Sequence, residues 1–210
     1  SPIVDTLVSG REQREREVCI YNQYERVHLW YLVNTYIFYD GNGRPAQVAA
    51  NYVVIDKFKA IETRLYNYNM NVIKSFSKAI GARDAYTMRH VENVSALMVG
   101  LAEFMRFAAD DTALAYLAGM VHDIGKIGIS EKILNKPGRL NTEEYEAIRR
   151  HPVIGAEILQ EIEGFASIAQ IVKHHHERWD GRGYPGQLAH DEIPILSRML
   201  AVCDTYDAMI

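Results

Sequence analysis

His122 and Asp123 sit side by side between Leu117-Ala118-Gly119-Met120-Val121 and Ile124-Gly125-Lys126-Ile127, an otherwise mostly apolar stretch. An imidazole and a carboxylate in such company are costly unless something pairs with them. An internal hydrogen bond is one solution. A cation is the other, because neutral imidazole and carboxylate are standard ligands for first-row metals. The remaining histidines decide between the two. Of eight, six lie from His90 to His176. His90 falls near the start of its own helical stretch, His151-Pro152 at the end of another, and His174-His175-His176 closes a third. Asp204 lies in Ala201-Val202-Cys203-Asp204, an apolar run where a carboxylate again needs a partner. One such residue would be a satisfied core group. Five separate segments, each bringing His or Asp out of an apolar helix, point to metal binding.

The ligand types narrow the metal. Imidazole and carboxylate without thiolate suit iron, manganese or zinc. A set this large exceeds one ion and fits two that share a carboxylate. Two ions about 3.5–4 Å apart can hold a hydroxide and both oxygens of an in-line phosphoryl displacement.

The elements that must position these residues fall into three pieces. Val18–Tyr24, His28–Tyr39 and Ala46–Ile55 are rich in Val, Ile, Tyr and Trp and read as antiparallel strands. Asp40-Gly41-Asn42-Gly43 marks a hairpin, and Pro45 suits a strand start. Residues 1–15 fit no single element; the alternating charges from Arg11 to Glu17 suit a loop, a short helix or a strand start. From Lys57 the period changes. Phe58, Ile61, Leu65, Tyr68, Val72, Phe76 and Ile80 recur at three and four, predicting one helix with a narrow apolar stripe. That stripe suits either packing on its own domain or a parallel coiled-coil linker between two protomers. Beyond it, Met88–Ala108, Ala113–Ile124, Thr142–Arg150, Gly155–Ile162, Ala166–His175 and Pro194–Ile210 carry helical spacing. Asn141, Thr142 and Glu144 form a capping arrangement. The fold class is α+β, a mostly helical bundle preceded by a three-stranded antiparallel segment.

Composition excludes several classes. The 210 residues are 48% hydrophobic with a net charge of −4, which argues against a general nucleic-acid binder. No apolar run of about 18 residues offers a membrane span, and the start lacks the pattern of a secretory leader. Cys19 and Cys203 are too few for a disulfide scaffold, so a reduced, cytoplasmic setting is expected.

The run His122-Asp123-Ile124-Gly125-Lys126, His151-Pro152, His175-His176-Glu177, Arg178-Trp179-Asp180-Gly181, Gly183-Tyr184-Pro185 and Asp204 resembles the HD-GYP family of the HD phosphohydrolase superfamily. The resemblance covers roughly residues 82–210 and implies an HD-type bundle that hydrolyses cyclic di-GMP, a bacterial second messenger. It implies His90, His122, Asp123 and Asp204 as the general HD-type site. His151, His175 and His176 then hold a second metal, with Asp123 bridging and Lys126 acting on the scissile phosphate or the nucleophile. Tyr184, in the loop that names the family, supports the site, and Arg178 and Arg182 are candidate phosphate contacts. Trp179 reads as a loop anchor, Glu177 and Asp180 as loop holders. His174, His28 and His190 read as structural. Iron or manganese is the expected metal, with zinc the third option. Some family members carry a glutamate four residues before the first histidine that helps bind a third ion. Tyr86 stands there, so two ions and a linear dinucleotide product are expected.

The strands, with His28-Leu29-Trp30-Tyr31 and Asp40-Gly41-Asn42-Gly43-Arg44-Pro45, resemble the C-terminal half of a PAS sensor domain. The expected organisation is thus a partial PAS-like segment over 1–56, a linker over 57–80 and an HD-GYP domain over 81–210 that stops short of the family's basic C-terminal residues. Either the chain belongs to a longer sensor or a partner protomer completes the strands. The expected partners are cyclic di-GMP and a second copy of the chain through the linker. Two alternatives stand beside hydrolysis of cyclic di-GMP: a catalytically silent cyclic-dinucleotide-binding or protein-interaction module, and a phosphodiesterase for mixed cyclic GMP–AMP.

Overall fold

The computed structural model describes residues 1–81 and 88–210. They divide into two compact units, Ser1–Asn69 and Met70–Ile210. The boundary falls within the helix that carries the predicted linker, α2 (Asp56–Gly81) by chain order.

In the first unit β1 (Arg16–Asn22), β2 (Val27–Tyr39) and β3 (Pro45–Val54) form an antiparallel meander in sequence order. The β2–β3 hairpin closes because Asp40 Oδ1 accepts from the amides of Asn42 and Arg44 at 2.8 and 2.9 Å, while Gly43 takes a φ of 74°. Pro45, with no N–H to give the ladder, begins β3. Periodicity left the first residues unassigned, and here they form α1 (Pro2–Ser9), with proline in its first turn and left-handed Gly10 at its end. The buried hydroxyls of Thr6 and Thr35 meet at 2.7 Å and pin α1 to β2. At the other end of the sheet, the Trp30 amide donates to Asp56 Oδ1 at 2.6 Å, which ties the start of α2 to β2. Phe58, Ile61, Leu65, Tyr68 and Phe76 remain between 57% and 66% exposed along α2.

The second unit is a helical bundle: α3 (Met88–Phe104), α4 (Ala109–Val121), α5 (Glu131–Leu134), α6 (Thr142–Ile148), α7 (His151–Gln160), α8 (Ala166–Lys173) and α9 (Ile195–Met209). Its core is Val94, Met98 and Ala102 of α3, Ala115 and Ala118 of α4, Leu159 of α7, Ile168 and Val172 of α8, and Met199 and Leu200 of α9. Spacings of three and four place each set on one face. The end of α2 joins this core through buried Met70 and through Ser77 Oγ, which donates to the Met120 carbonyl at 2.6 Å. The capping box at Asn141 and Glu144 forms as its residues predict. Among the described residues, no helix is long and apolar enough to cross a membrane.

Two of the differences from the periodicity matter for the site. The helix predicted to run to Ile124 stops at Val121, and Ile124–Gly128 forms a 3₁₀ turn. His151 begins a helix rather than ending one: α6 stops at Ile148, and Pro152 occupies the first turn of α7, where its missing N–H costs nothing. The 3₁₀ turn lies against α7 so closely that a Cβ on Gly125 would strike the His151 carbonyl and the Gly155 amide. Gly100, inside α3, has open space around it.

The same substitution at these glycines should therefore have opposite signs. Gly125→Ala should destabilise by about 1–3 kcal/mol through forced backbone movement. Gly100→Ala should stabilise by about 0.5–1 kcal/mol through helix propensity. Thermal melts of the two variants beside the parent check both; equal shifts would refute the close approach.

Candidate metal centre

Three histidines of the site share one local device. His122 follows α4, His151 opens α7, and His175 lies just beyond α8. Each is turned back onto the chain so that Nδ1 donates to a carbonyl three residues earlier: Gly119 at 2.8 Å, Ile148 at 2.8 Å and Val172 at 2.5 Å. In the neutral ring that bond fixes the tautomer and leaves the lone pair on Nε2. All three Nε2 atoms are buried and have no hydrogen-bond partner among the described residues. Each unmet buried acceptor costs about 1–3 kcal/mol, so three together imply a ligand that uses them.

They converge with the other expected residues. The ligand atoms of His90, His122 and Asp204 lie within 4.8 Å of one another, and so do those of His151, His175 and His176. Asp123 lies between the groups, its Oδ2 3.4 Å from His122 Nε2 and its Oδ1 3.4 Å from His151 Nε2. Lys126, one 3₁₀ turn on, brings Nζ within 2.8 Å of Asp123 Oδ2. His90 Nε2 is 3.1 Å from Asp204 Oδ1. The donor set fits divalent cations: imidazole and carboxylate, buried, with the lone pairs committed. Tyr86 lies outside the described residues.

The electrostatics separate two environments. Burial pushes His175 well below the usual imidazole range and His176 down to about 4, helped in each case by neighbouring imidazoles. Burial lowers His151 as well. These rings are neutral at physiological pH, the state a metal needs. Burial opposes a proton on His122 too, but Asp123 and Asp204 overcome it and raise His122 to about 9. His90 is raised against burial by Asp204 and Asp207. Asp123, despite burial, is held well below the carboxylate range by His122, Lys126 and His151. A concentration of negative charge around His90 and His122 thus attracts positive charge, which a cation can supply in place of protons.

The surrounding loop is built from the residues that the sequence assigned to it. Glu177 is buried and accepts from the amides of Gly186 at 2.5 Å and Leu188 at 3.2 Å, closing the loop that carries Tyr184. Tyr184 stacks on His176 with centroids 4.9 Å apart and planes 29° apart. Arg178 is exposed and engaged by both oxygens of Asp180, whose pKa that contact pulls down to about 2. Arg182 is exposed on the same loop. Trp179 packs edge-on against His190 and under the Arg198 guanidinium. His174 caps α8 and points Nδ1 at Glu177, outside both ligand groups. His28 packs against Tyr21 in the first unit.

Two contributors escaped the sequence reading. Arg149 places its guanidinium 4.7 Å from the centroid of the Tyr184 ring. Asp207 accepts from His90 Nδ1 at 2.7 Å and from Asn93 Nδ2 at 2.8 Å. Its signal was available: Asp204 and Asp207 are three apart on one helix and share a face.

If Asp123 serves both groups, Asp123→Ala should lose bound metal from both at once. Mass-spectrometric metal analysis of anaerobically purified protein checks this, and a full complement in the variant would refute the shared role.

Comparisons with known proteins agree with this geometry. A family model described as HD domain matches residues 61–210. The cyclic di-GMP phosphodiesterase PA4108 of Pseudomonas aeruginosa is 39% identical over 157 residues, covering 74% of this chain and 37% of that protein. A 3′3′-cGAMP-specific phosphodiesterase 3 of Vibrio cholerae is 33% identical over 138 residues, covering 66% of this chain and 30% of that protein. The crystal structure of a cyclic GMP-AMP-specific phosphodiesterase of V. cholerae, V-cGAP3, superposes with a TM-score of 0.52 at 17% identity, over 66% of this chain and 40% of that one, a likeness of fold. The aligned region is well under half the length of these curated relatives. With His122-Asp123 at the centre of two histidine groups and a match over most of its length, the chain belongs to the HD domain family.

Proposed function

We propose that this chain is the hydrolytic output module of a cytoplasmic signalling protein, and that its substrate is a cyclic dinucleotide, cyclic di-GMP ahead of mixed cyclic GMP–AMP. The observation that carries the reading is that two buried Nε2 atoms without a hydrogen-bond partner, of His122 and His151, face opposite oxygens of one carboxylate, Asp123, while that of His175 joins His151 and His176 in one group. His90, His122 and Asp204 would hold one divalent ion, and His151, His175 and His176 a second, with one Asp123 oxygen toward each; iron or manganese fits these donors. When bound, such a pair supplies Lewis-acid polarisation of a phosphodiester and a water of lowered pKa.

The rest falls to the chain itself. Lys126 is held by Asp123 with its ammonium largely buried, where a cation neutralises charge developing on a phosphoryl oxygen far better than in water. Tyr184 covers His176 and keeps its ring in place. Arg178 and Arg182, exposed on the adjoining loop, would meet the remaining phosphate of a cyclic dinucleotide. The strand unit, PAS-like in its motifs, would serve as part of the sensor. The exposed stripe of α2 supports a parallel homodimer through the linker.

Two measurements test this reading. Manganese-loaded protein incubated with cyclic di-GMP, and separately with 3′3′-cGAMP, should yield the linear dinucleotide from cyclic di-GMP at the higher rate, followed by chromatography. Lys126→Ala should keep its metal and lose at least tenfold in rate, in the range of a missing electrostatic contact. Consumption of neither substrate would overturn the hydrolytic reading. For assembly, sedimentation should show a dimer that Leu65→Glu dissociates, because the seam would bury an unpaired charge; a monomeric parent would rule the seam out.

A further inference from the structure

The two ligand groups are not built alike. His122, His151 and His175 are each oriented by a neutral backbone carbonyl of the residue three before. His90 is oriented by a carboxylate. Asp207 Oδ2 lies 2.7 Å from His90 Nδ1, and Asp207 is almost buried, with 8% of its side chain exposed. A carboxylate can only accept, so Nδ1 donates to Asp207, and Nε2, 3.1 Å from Asp204 Oδ1, is the nitrogen that a cation would take in place of a proton. Asp207 is held in turn: its second oxygen accepts from Asn93 Nδ2 at 2.8 Å. Asn93 lies one turn after His90 on α3, and Asp207 one turn after Asp204 on α9. The same two helices thus supply two ligands and, one turn on, the pair that sets the ring of one of them.

We propose that Asp207 is a positioning residue that sets the metal affinity of the His90, His122 and Asp204 group independently of the His151, His175 and His176 group. This rests on the metal-binding reading above. A carboxylate behind a ligating histidine fixes ring orientation and raises its basicity, and removal of such a partner weakens metal binding by about 10–100-fold. Among the described residues no carboxylate stands behind the Nδ1 atoms of His151 and His175, which lean on backbone carbonyls that no side-chain change removes. The consequence is a centre with one separately tunable ion.

Asp207→Asn should expose this. Asparagine has one acceptor oxygen, so it can serve His90 or Asn93 but turns a donor toward the other. Exchanging the pair, Asn93→Asp with Asp207→Asn, restores an acceptor to His90 and a matched contact behind it. The experiment is a manganese titration of parent, Asp207→Asn and the exchanged pair, with free ion followed by electron paramagnetic resonance and folding by circular dichroism. The parent should bind two ions. Asp207→Asn should bind one with parental affinity and the other about 10–100-fold more weakly, and the exchanged pair should regain most of that loss. A parent that binds no manganese would overturn the metal-binding reading itself. A parent with two ions and an Asp207→Asn variant with the same two affinities would overturn only the role of Asp207. Equal weakening of both ions in a folded Asp207→Asn variant would also overturn it, since that would signal general disturbance of the bundle.

Discussion

The hydrogen bond from a histidine Nδ1 to the carbonyl three residues earlier is the interaction on which the site depends. It recurs at His122, His151 and His175, always where a helix stops or starts and a carbonyl lacks its usual partner. The bond satisfies that carbonyl and fixes one tautomer. It also leaves a buried lone pair pointing away from the backbone. Three helix ends brought together therefore produce a pocket of committed acceptors, and Asp123 adds the negative charge that makes the pocket favourable for cations.

Holding helix ends this close requires small residues between them. Ala115 and Ala118 are completely buried, and Gly119 lets α4 approach Ser95 of α3 so nearly that a Cβ would touch its backbone. Gly125 does the same between the 3₁₀ turn and α7, which brings Asp123 and Lys126 to His151. On the far side, Glu177 replaces a strand or helix as the organiser of the loop. Its buried oxygens gather two loop amides, and the resulting turn lays Tyr184 over His176. The arrangement thus relies on packing density as much as on residue identity: Gly119, Gly125 and Gly183 each sit in a contact too tight for a larger residue.

Much of this was legible in the sequence because two periodicities and one residue type carry it. The change from alternation to spacings of three and four marks where strands give way to helices, although the two compact units divide later, within α2. The ligand groups followed from histidine and aspartate standing in apolar helices, where burial without a partner is costly. The misreadings share a cause. His151 was placed at the end of a helix because periodicity runs through Arg149 and Arg150; the Arg150–His151 junction is set by Pro152 and by the contact with Gly125. Helix α1 is only eight residues long and is defined by its tertiary contact at Thr6 and Thr35 rather than by its own pattern. Arg149 acts across a long stretch of chain, on Tyr184, and a single sequence gives no distance between such positions; Asp207, three residues after Asp204 on one helix face, was open to the same periodicity that placed the helices.

The central claim is that these Nε2 atoms hold a pair of ions that share Asp123. Anomalous diffraction at the manganese edge, from crystals grown with manganese, tests it most directly. Two peaks about 3.5–4 Å apart are expected, one among His90, His122 and Asp204 and one among His151, His175 and His176, with an Asp123 oxygen on each. Ordered density for these side chains with no anomalous peak among them would contradict it.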